Sequence, residues 1–329
     1  EPIEDIVDRL LPLIVTDGFN ETSRWEWLGS ATFSQLYRLT YGPFKSFSMG
    51  VQRYGERNIR TVEIPAIRFT RFKGRNAQFA PKVFDYKQFT FKVIDDTIAY
   101  LSVTGFGSDE LDYASFYRSS FQRIKDLDIQ HLVLDIQDNG GGTEGNENLL
   151  FSYVYPDVVQ KYKRVTMLSG PYEKNKEDSD YILDKWAPQR GFAERGEYTL
   201  FSDYYSTLGY QKPEEDLVYD GMIYALISGI TFSGGAEFSS MLRMTNRAIF
   251  IGEETGGTYE GNVSGYSETT QLPNSKITVD IPTVHFQMNV EPILPGRGVL
   301  PDYEVHQTWA DYMETRNAKL DFALELIRQ

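Results

Sequence analysis

The sequence contains no cysteine and only three histidines, His131, His285 and His306. The first absence excludes a disulfide framework, a thiol nucleophile and a cysteine-based zinc site. The second leaves too few imidazoles, too widely spaced, for a histidine-built metal centre. Redox compartment stays open, because a cysteine-free chain suits either side of a bacterial membrane. Basic residues are also in deficit, 33 Lys and Arg against 47 Asp and Glu, for a formal net charge of −14. Such a chain lacks the even basic field that a phosphate backbone requires, which argues against nucleic acid as a partner. The Lys/Arg-rich stretch 68–82 therefore reads as solvated linker. No window approaches the ~18 consecutive apolar residues of a membrane span, and Glu1 to Glu4 lack the basic and apolar regions of a signal peptide.

What the chain does have is core material, 41% hydrophobic and 14% aromatic residues over 329 positions. That is enough for one large domain, or for one and a half smaller ones. Residues 1–66 read as a small α+β unit: a helix over 3–15, a turn at Asp17-Gly18, a helical stretch from Trp25 to Tyr41, and strands Ser46–Arg53 and Asn58–Ile64. The helical period starts at Ile3 with only Pro2 ahead of it, as in a chain cut just before a helix. Residues 67–88 carry Gly74 and Pro81 without sustained period and read as a linker.

From 89 to 329 the order is that of an α/β layer. Strands are expected at Phe89–Ile94, Thr97–Val103, His131–Ile136, Met222–Ser228 and Ala248–Gly252, with further strands near 265–271, 276–281 and 283–290. Helix faces are expected from Tyr113 to Ile124 and from Ala236 to Met244, with a last helix at 316–328. His131–Ile136 and Met222–Ser228 are almost wholly apolar, as strands buried on both faces are. Residues 170–217 are charged and aromatic and read as a surface excursion able to act as a lid over a groove. The Tyr and Phe around it are core and lid packing, or a lining for apolar side chains.

Two places share one geometry: a buried strand ends in a glycine-rich turn and a helix begins there. These are Asn139-Gly-Gly-Gly142 and Thr231-Phe-Ser-Gly-Gly235. Such turns present backbone N–H groups at a helix N-terminus and can hold an oxyanion or a phosphate. Neither is followed by the Gly-Lys-Ser/Thr of a P-loop. Ser233 stands at a strand-to-helix corner, where it serves either as an N-cap or, as at a nucleophile elbow, with its hydroxyl presented to a substrate.

Taken in order, four segments carry a family resemblance. Leu132 to Gly142 resembles the "DLRxNxGG" strand and turn of the C-terminal processing (tail-specific) serine peptidases, peptidase family S41. Thr231 to Glu237 resembles their nucleophile helix, Ala248 to Gly257 their "GExTxG" strand, and Gly296 to Asp302 their "GxGVxPD" loop. The resemblance covers roughly 89–305. It implies a Clp-protease/crotonase-like core of ββα units, a serine endopeptidase activity on polypeptides, Ser233 as nucleophile and an oxyanion hole of N–H groups near Gly141 and at Gly234. It implies no metal and no cofactor, and a place in the bacterial cell envelope, periplasmic or exported. Pro2 to Ile6 followed by Asp17 to Asn20 resembles the stretch closing a PDZ-like domain, so 1–66 would be the C-terminal part of a peptide-binding module.

The general base departs from the pattern. Members with a Ser–Lys dyad carry the lysine 25 positions after the serine, where this chain has Thr258. That places the chain nearer the tricorn-like and retinoid-binding-protein-like branch, in which a histidine serves the serine and a carboxylate orients it. Glu291, 58 residues after Ser233, is the matching carboxylate or else a solvated loop residue. No histidine stands where that branch needs one: His131 opens a buried strand, His306 follows the Pro-Asp loop, and His285 would reach the site only by topology. The base is therefore expected upstream of Glu1. Two other readings share these features, a catalytically inactive peptide- or apolar-ligand-binding module on the same fold and an acyl-CoA enzyme of crotonase type; the Thr-Phe-Ser-Gly-Gly and Pro-Asp segments argue against the latter. The sequons at Asn20 and Asn262 occur at a frequency expected by chance.

Overall fold

The computed structural model describes residues 1–68, 87–107, 111–168, 190–192, 197–200, 210–214, 216–265, 267–291 and 294–329. Most of the expected linker and most of the expected 170–217 lid lie outside the described residues. Those described form two compact units, one from 1–15, 24–85 and 308–317 and the other from 16–23, 86–307 and 318–329.

In the smaller unit, helix α1 (Ile3–Leu10) turns Ile6 and Leu10 inward, where they meet Ile14, Leu28, Phe33 and Tyr37. Glu4 and Asp5 in its first turn and Arg9 in its last match the helix dipole. The expected run to residue 15 is not one α-helix. Pro12 lacks an N–H, and the chain tightens into a 3₁₀ turn over Leu11–Leu13. The expected helix from Trp25 to Tyr41 is likewise divided, into Thr22–Trp27 and α2 (Phe33–Tyr41). Ser30 leaves helical geometry between them (φ −96°, ψ −164°), and its hydroxyl donates to the Trp27 carbonyl at 2.6 Å. Strands β1 (Ser46–Gln52) and β2 (Ile59–Pro65) pair antiparallel.

The larger unit is built on a six-stranded sheet. Its strands are β3 (Phe89–Val93), β4 (Ile98–Val103), β5 (His131–Asp135), β9 (Met222–Ile227), β10 (Ala248–Gly252) and β13 (Tyr303–Glu304), in the order β13-β10-β9-β5-β4-β3. Only β3 runs antiparallel to its neighbour. The period of two along β5 separates two cores. Leu132 and Leu134 face helices α3 (Tyr113–Asp126), α4 (Glu144–Ser152) and α5 (Gly234–Met244), among Tyr117, Phe121, Phe151 and Phe238. Val133 faces the other way, with Ile98, Leu226, Ile251 and Ala323 beneath helix α6 (Ala318–Ile327). Each such fully buried aliphatic side chain contributes about 2 kcal/mol, an upper bound set by the extended-chain reference. This is the helix–sheet–helix layering expected of the apolar strands.

A second sheet, all antiparallel, joins the core on the α4–α5 side through Val165, Val284 and Phe286. It contains β6 (Tyr162–Leu168), β7 (Arg190–Phe192), β8 (Glu197–Leu200), β11 (Gly261–Asn262) and β12 (Val284–Met288), ordered β11-β12-β6-β8-β7. A separate hairpin pairs Ser267–Gln271 with Thr278–Pro282.

Candidate active site

The carboxyl ends of β5 and β9 lie side by side, with Asp135 opposite Leu226. The two glycine-rich turns that follow are stitched together. Thr231 Oγ1 donates to the Ile136 carbonyl at 2.9 Å, Ser228 Oγ to the Gln137 carbonyl at 2.6 Å, and the Phe232 N–H to the Asn139 carbonyl at 3.0 Å. Asn139, wholly buried, is the hub: its Nδ2 donates to the Val103 carbonyl at the end of β4, and its Oδ1 accepts the Gly141 N–H at 2.9 Å. Asp135, also buried, accepts from Tyr100 at 2.6 Å and from Gln137 Nε2 at 2.9 Å. Burial pushes its carboxyl above the usual range, against the pull of those hydrogen bonds.

Ser233 stands at the N-cap position of α5 with φ 50° and ψ −126°, and its side chain makes no capping bond. The N-cap reading thus holds for position and fails for chemistry. A non-glycine residue held in that region costs about 1–3 kcal/mol, and it is the sharp strand-to-helix turn that presents a hydroxyl at a nucleophile elbow. Gly141 (φ +97°) makes room for it: a Cβ there would lie 2.6 Å from Ser233 Cβ and 2.7 Å from the Gly234 nitrogen. Gly235 is needed for a similar reason, since a Cβ would run into the Asn139 carbonyl. The Gly141 N–H is already committed to Asn139. The N–H groups of Gly142 and Gly234, whose backbones approach closely, donate to no acceptor among the described residues.

Ser233, Gly142 and Gly234 open on a cavity of about 250 Å³, which Glu144, Glu147, Glu237, Ser264, Gly265 and Phe286 also line. Behind it lies a buried charge cluster with no counterpart in the sequence reading. Lys161, fully buried, pairs with Glu147 and, at 2.5 Å, with Glu237. Tyr162 donates to Glu237 at 2.7 Å and contacts Glu144 at 3.2 Å, and Asn262 Nδ2 donates to Glu237 at 2.5 Å. Burial works against the charge on Glu237, but the Lys161 ammonium and these donors outweigh it and hold the group below its ordinary value. Glu147 goes the other way. Burial pushes it well above the carboxylate range despite Lys161, and the Glu237 charge adds to the push. Its Oε2 is buried without a hydrogen-bond partner among the described residues. Lys161 is driven up by its carboxylates in spite of burial, so it stays an ammonium and is no free base.

The other expected residues sit as follows. Glu291 has 91% of its side chain exposed, lies 3.4 Å from Lys163 Nζ, and does not line the Ser233 cavity. Thr258, at the lysine position of the Ser–Lys pattern, gives its hydroxyl to the Gly261 carbonyl. His285 lines a second cavity with Thr258, Asp17 and Glu260, whereas its neighbour Phe286 lines the first. Strand alternation thus turns His285 away from Ser233's cavity. His131 is half-buried against Tyr224, and His306 is a surface residue paired with Glu253 and Glu304. Asn20 is buried, with its amide donating to the Thr255 carbonyl, so its sequon is closed in the folded chain.

The remaining motif residues fasten the turns. Glu254 accepts from Arg297 Nε at 2.8 Å, from the far guanidinium nitrogen, and from the Gly298 N–H at 2.7 Å. Thr255 Oγ1 accepts the Val299 N–H at 2.8 Å. Asp302 accepts the Phe250 N–H at 2.7 Å and pairs with Arg243 at 2.9 Å.

Comparisons with known proteins agree with this architecture. The profile of peptidase family S41 matches residues 97–305, more than half of the chain. No curated protein matches. Among solved structures, mature CPAF complexed with lactacystin is similar at 14% identity and a TM-score of 0.63, over 99% of this chain and 74% of that one. A second structure of mature CPAF gives 14% and 0.60 over the same shares. A candidate peptidase from Parabacteroides merdae ATCC 43184 is 18% identical over 99% of this chain and 89% of its own, at a TM-score of 0.47. At such identities the solved structures establish the fold, and the family rests on the profile match across the turns just described: the chain belongs to peptidase family S41 and is a serine peptidase, a hydrolase.

Proposed function

We propose that Ser233 is the nucleophile of an endopeptidase of the tail-specific type. The observation that carries this reading is the left-handed backbone of Ser233 at a helix N-terminus, with a hydroxyl that caps nothing and opens on a cavity. In this reading Ser233 Oγ attacks the scissile carbonyl carbon, and its proton passes to a base. The N–H groups of Gly142 and Gly234 receive the oxyanion. The base then gives the proton to the leaving amine, and water hydrolyses the acyl-enzyme. One such donor is worth about 100- to 1000-fold in rate.

The base is a histidine contributed from outside residues 1–329, with Glu291 as its orienting carboxylate; Lys161 is paired and His285 faces elsewhere. The helix-and-hairpin unit is the remainder of a PDZ-like module, and the protein acts in the bacterial cell envelope. No helix among the described residues is long and apolar enough to cross a membrane.

Thr258, with its hydroxyl spent on Gly261, favours a second reading, a non-catalytic peptide- or apolar-ligand-binding module. Intact-mass analysis after fluorophosphonate treatment separates the two. A single adduct on a protein extended to its natural N-terminus, lost in Ser233→Ala, is the expected result. No adduct on either the extended protein or residues 1–329 overturns the nucleophile in favour of the binding module.

A further inference from the structure

The cluster beside Ser233 has more carboxyl groups than cations to pair them. Three carboxyl groups, Glu144, Glu147 and Glu237, line one cavity against a single buried ammonium, Lys161. Glu237 has its partners in Lys161, Tyr162 and Asn262. Glu147, in the cavity wall, does not: one oxygen pairs with Lys161, and the other, fully buried beside Gly234, has no partner among the described residues. A buried carboxyl oxygen left unmatched costs about 1–3 kcal/mol, more if charged.

We infer that this cavity is a subsite for a cationic side chain, lysine or arginine, with Glu147 as its buried acceptor and half-buried Glu144 as the second. Lysine's three donors or arginine's five would satisfy the Glu147 oxygen and the Glu144 carboxylate together. A second positive charge would reduce the excess of carboxyl groups over cations from two to one. Phe286 gives the wall an apolar residue beside the carboxyl groups, as the aliphatic stem of such a side chain requires. That the subsite selects the residue bearing the scissile carbonyl rests on Ser233 as nucleophile. That it binds a cation does not.

The test keeps the two apart by reading binding in a protein that cannot turn over. p-Aminobenzamidine is titrated by fluorescence into the chain, its Ser233→Ala variant, and Glu147→Gln and Glu144→Gln in that background, with neutral 4-aminobenzamide as the isosteric control. Saturable binding is expected, equal with and without Ser233, at least 10-fold weaker for the amide, and weakened 10-fold or more by Glu147→Gln. Circular dichroism checks that the variants fold. Should Glu147→Gln not fold, Glu144→Gln decides, with a loss of at least 3-fold expected. No saturable binding, equal affinity for the amide, or indifference to every folded glutamate variant overturns the subsite. Binding that survives while fluorophosphonate labelling fails would overturn the nucleophile and leave the cation site.

Discussion

A Cβ added to Gly141 would lie 2.6 Å from the Cβ of Ser233, closer than two such carbons approach in folded proteins. The turn after β5 is thus shaped around the serine that follows β9, and the two glycine-rich segments behave as one part. Gly141 also sits at φ +97°, where an L-residue is strained whatever the space. Gly141→Ala is expected to lower the melting temperature by several degrees and to abolish fluorophosphonate labelling of Ser233. Gly145, three residues beyond Gly142 in α4, has nothing within 4 Å of its added Cβ. Gly145→Ala should be neutral or stabilise by up to about 1 kcal/mol, so calorimetry of the pair separates the clash from a general effect of adding a methyl group.

The strain at Ser233 makes a second prediction. Glycine adopts φ 50°, ψ −126° more readily than serine or alanine does. The Ser233 hydroxyl makes no capping bond whose loss would offset the gain. Ser233→Gly should therefore be more stable than Ser233→Ala by about 1 kcal/mol, or about 2–4 °C in a unit of this size. Equal melting temperatures for the two would show that the corner is unstrained, and the nucleophile-elbow argument would lose its main support.

Much of this was legible in the sequence, for identifiable reasons. Strands such as His131–Asp135 and Met222–Ile227 are almost wholly apolar because helices cover both faces, and the turns after them are punctuated by glycines that close backbone approach requires. Other features leave no local trace. Lys161, Glu147 and Glu237 read separately as surface residues, and only the pairing of β6 with β12 beside α4 and α5 buries them together. The pairing of Glu254 with Arg297 joins two motifs 43 residues apart that show no charge pattern of their own. The break at Ser30 depends on a side-chain bond to the Trp27 carbonyl, which helix periodicity does not register. Nor does periodicity reveal that the Gly141 N–H is taken by Asn139, which moves the candidate oxyanion donor to Gly142.

That Glu254–Arg297 pair supplies the next prediction. Glu254 is buried and Arg297 is partly exposed, so solvent screens the pair and its two directions differ. Arg297→Ala leaves a buried carboxylate holding only the Gly298 N–H, and should cost about 1–3 kcal/mol in thermal unfolding. Glu254→Gln keeps a hydrogen-bond acceptor for one of its donors and should cost less. Because Gly298 and Val299 are held to the Glu254–Thr255 segment, whose next residues pack against the Ser233 turn, Arg297→Ala should also slow labelling of Ser233. A variant as stable and as reactive as the parent would reduce the pair to a surface contact.

Proton linkage gives the sharpest check on the cation subsite. Burial holds the Glu147 carboxyl well above its ordinary value, so the empty cavity keeps a proton there at pH values where a solvated glutamate has lost it. The groups facing it are Glu144 on the same helix, Lys161 and Tyr162 at the start of β6, Glu237 on α5 and Tyr117 on α3. Lys161 and the two tyrosines are raised and keep their protons through neutral pH, and Glu237 is lowered and stays charged. The groups left to titrate on cation binding are Glu147 and, less strongly, Glu144, which burial also raises. The cation prefers their ionised forms. p-Aminobenzamidine affinity should therefore rise with pH from 5 upward and level off once Glu147 is ionised, at most 10-fold per pH unit for each proton released. Binding at neutral pH should release protons, seen by calorimetry as a heat that changes with the ionisation enthalpy of the buffer. In Glu147→Gln the slope should fall by the share that Glu147 carries, leaving only that of Glu144. An affinity independent of pH in the parent, with no buffer dependence, would mean that the cation does not meet Glu147.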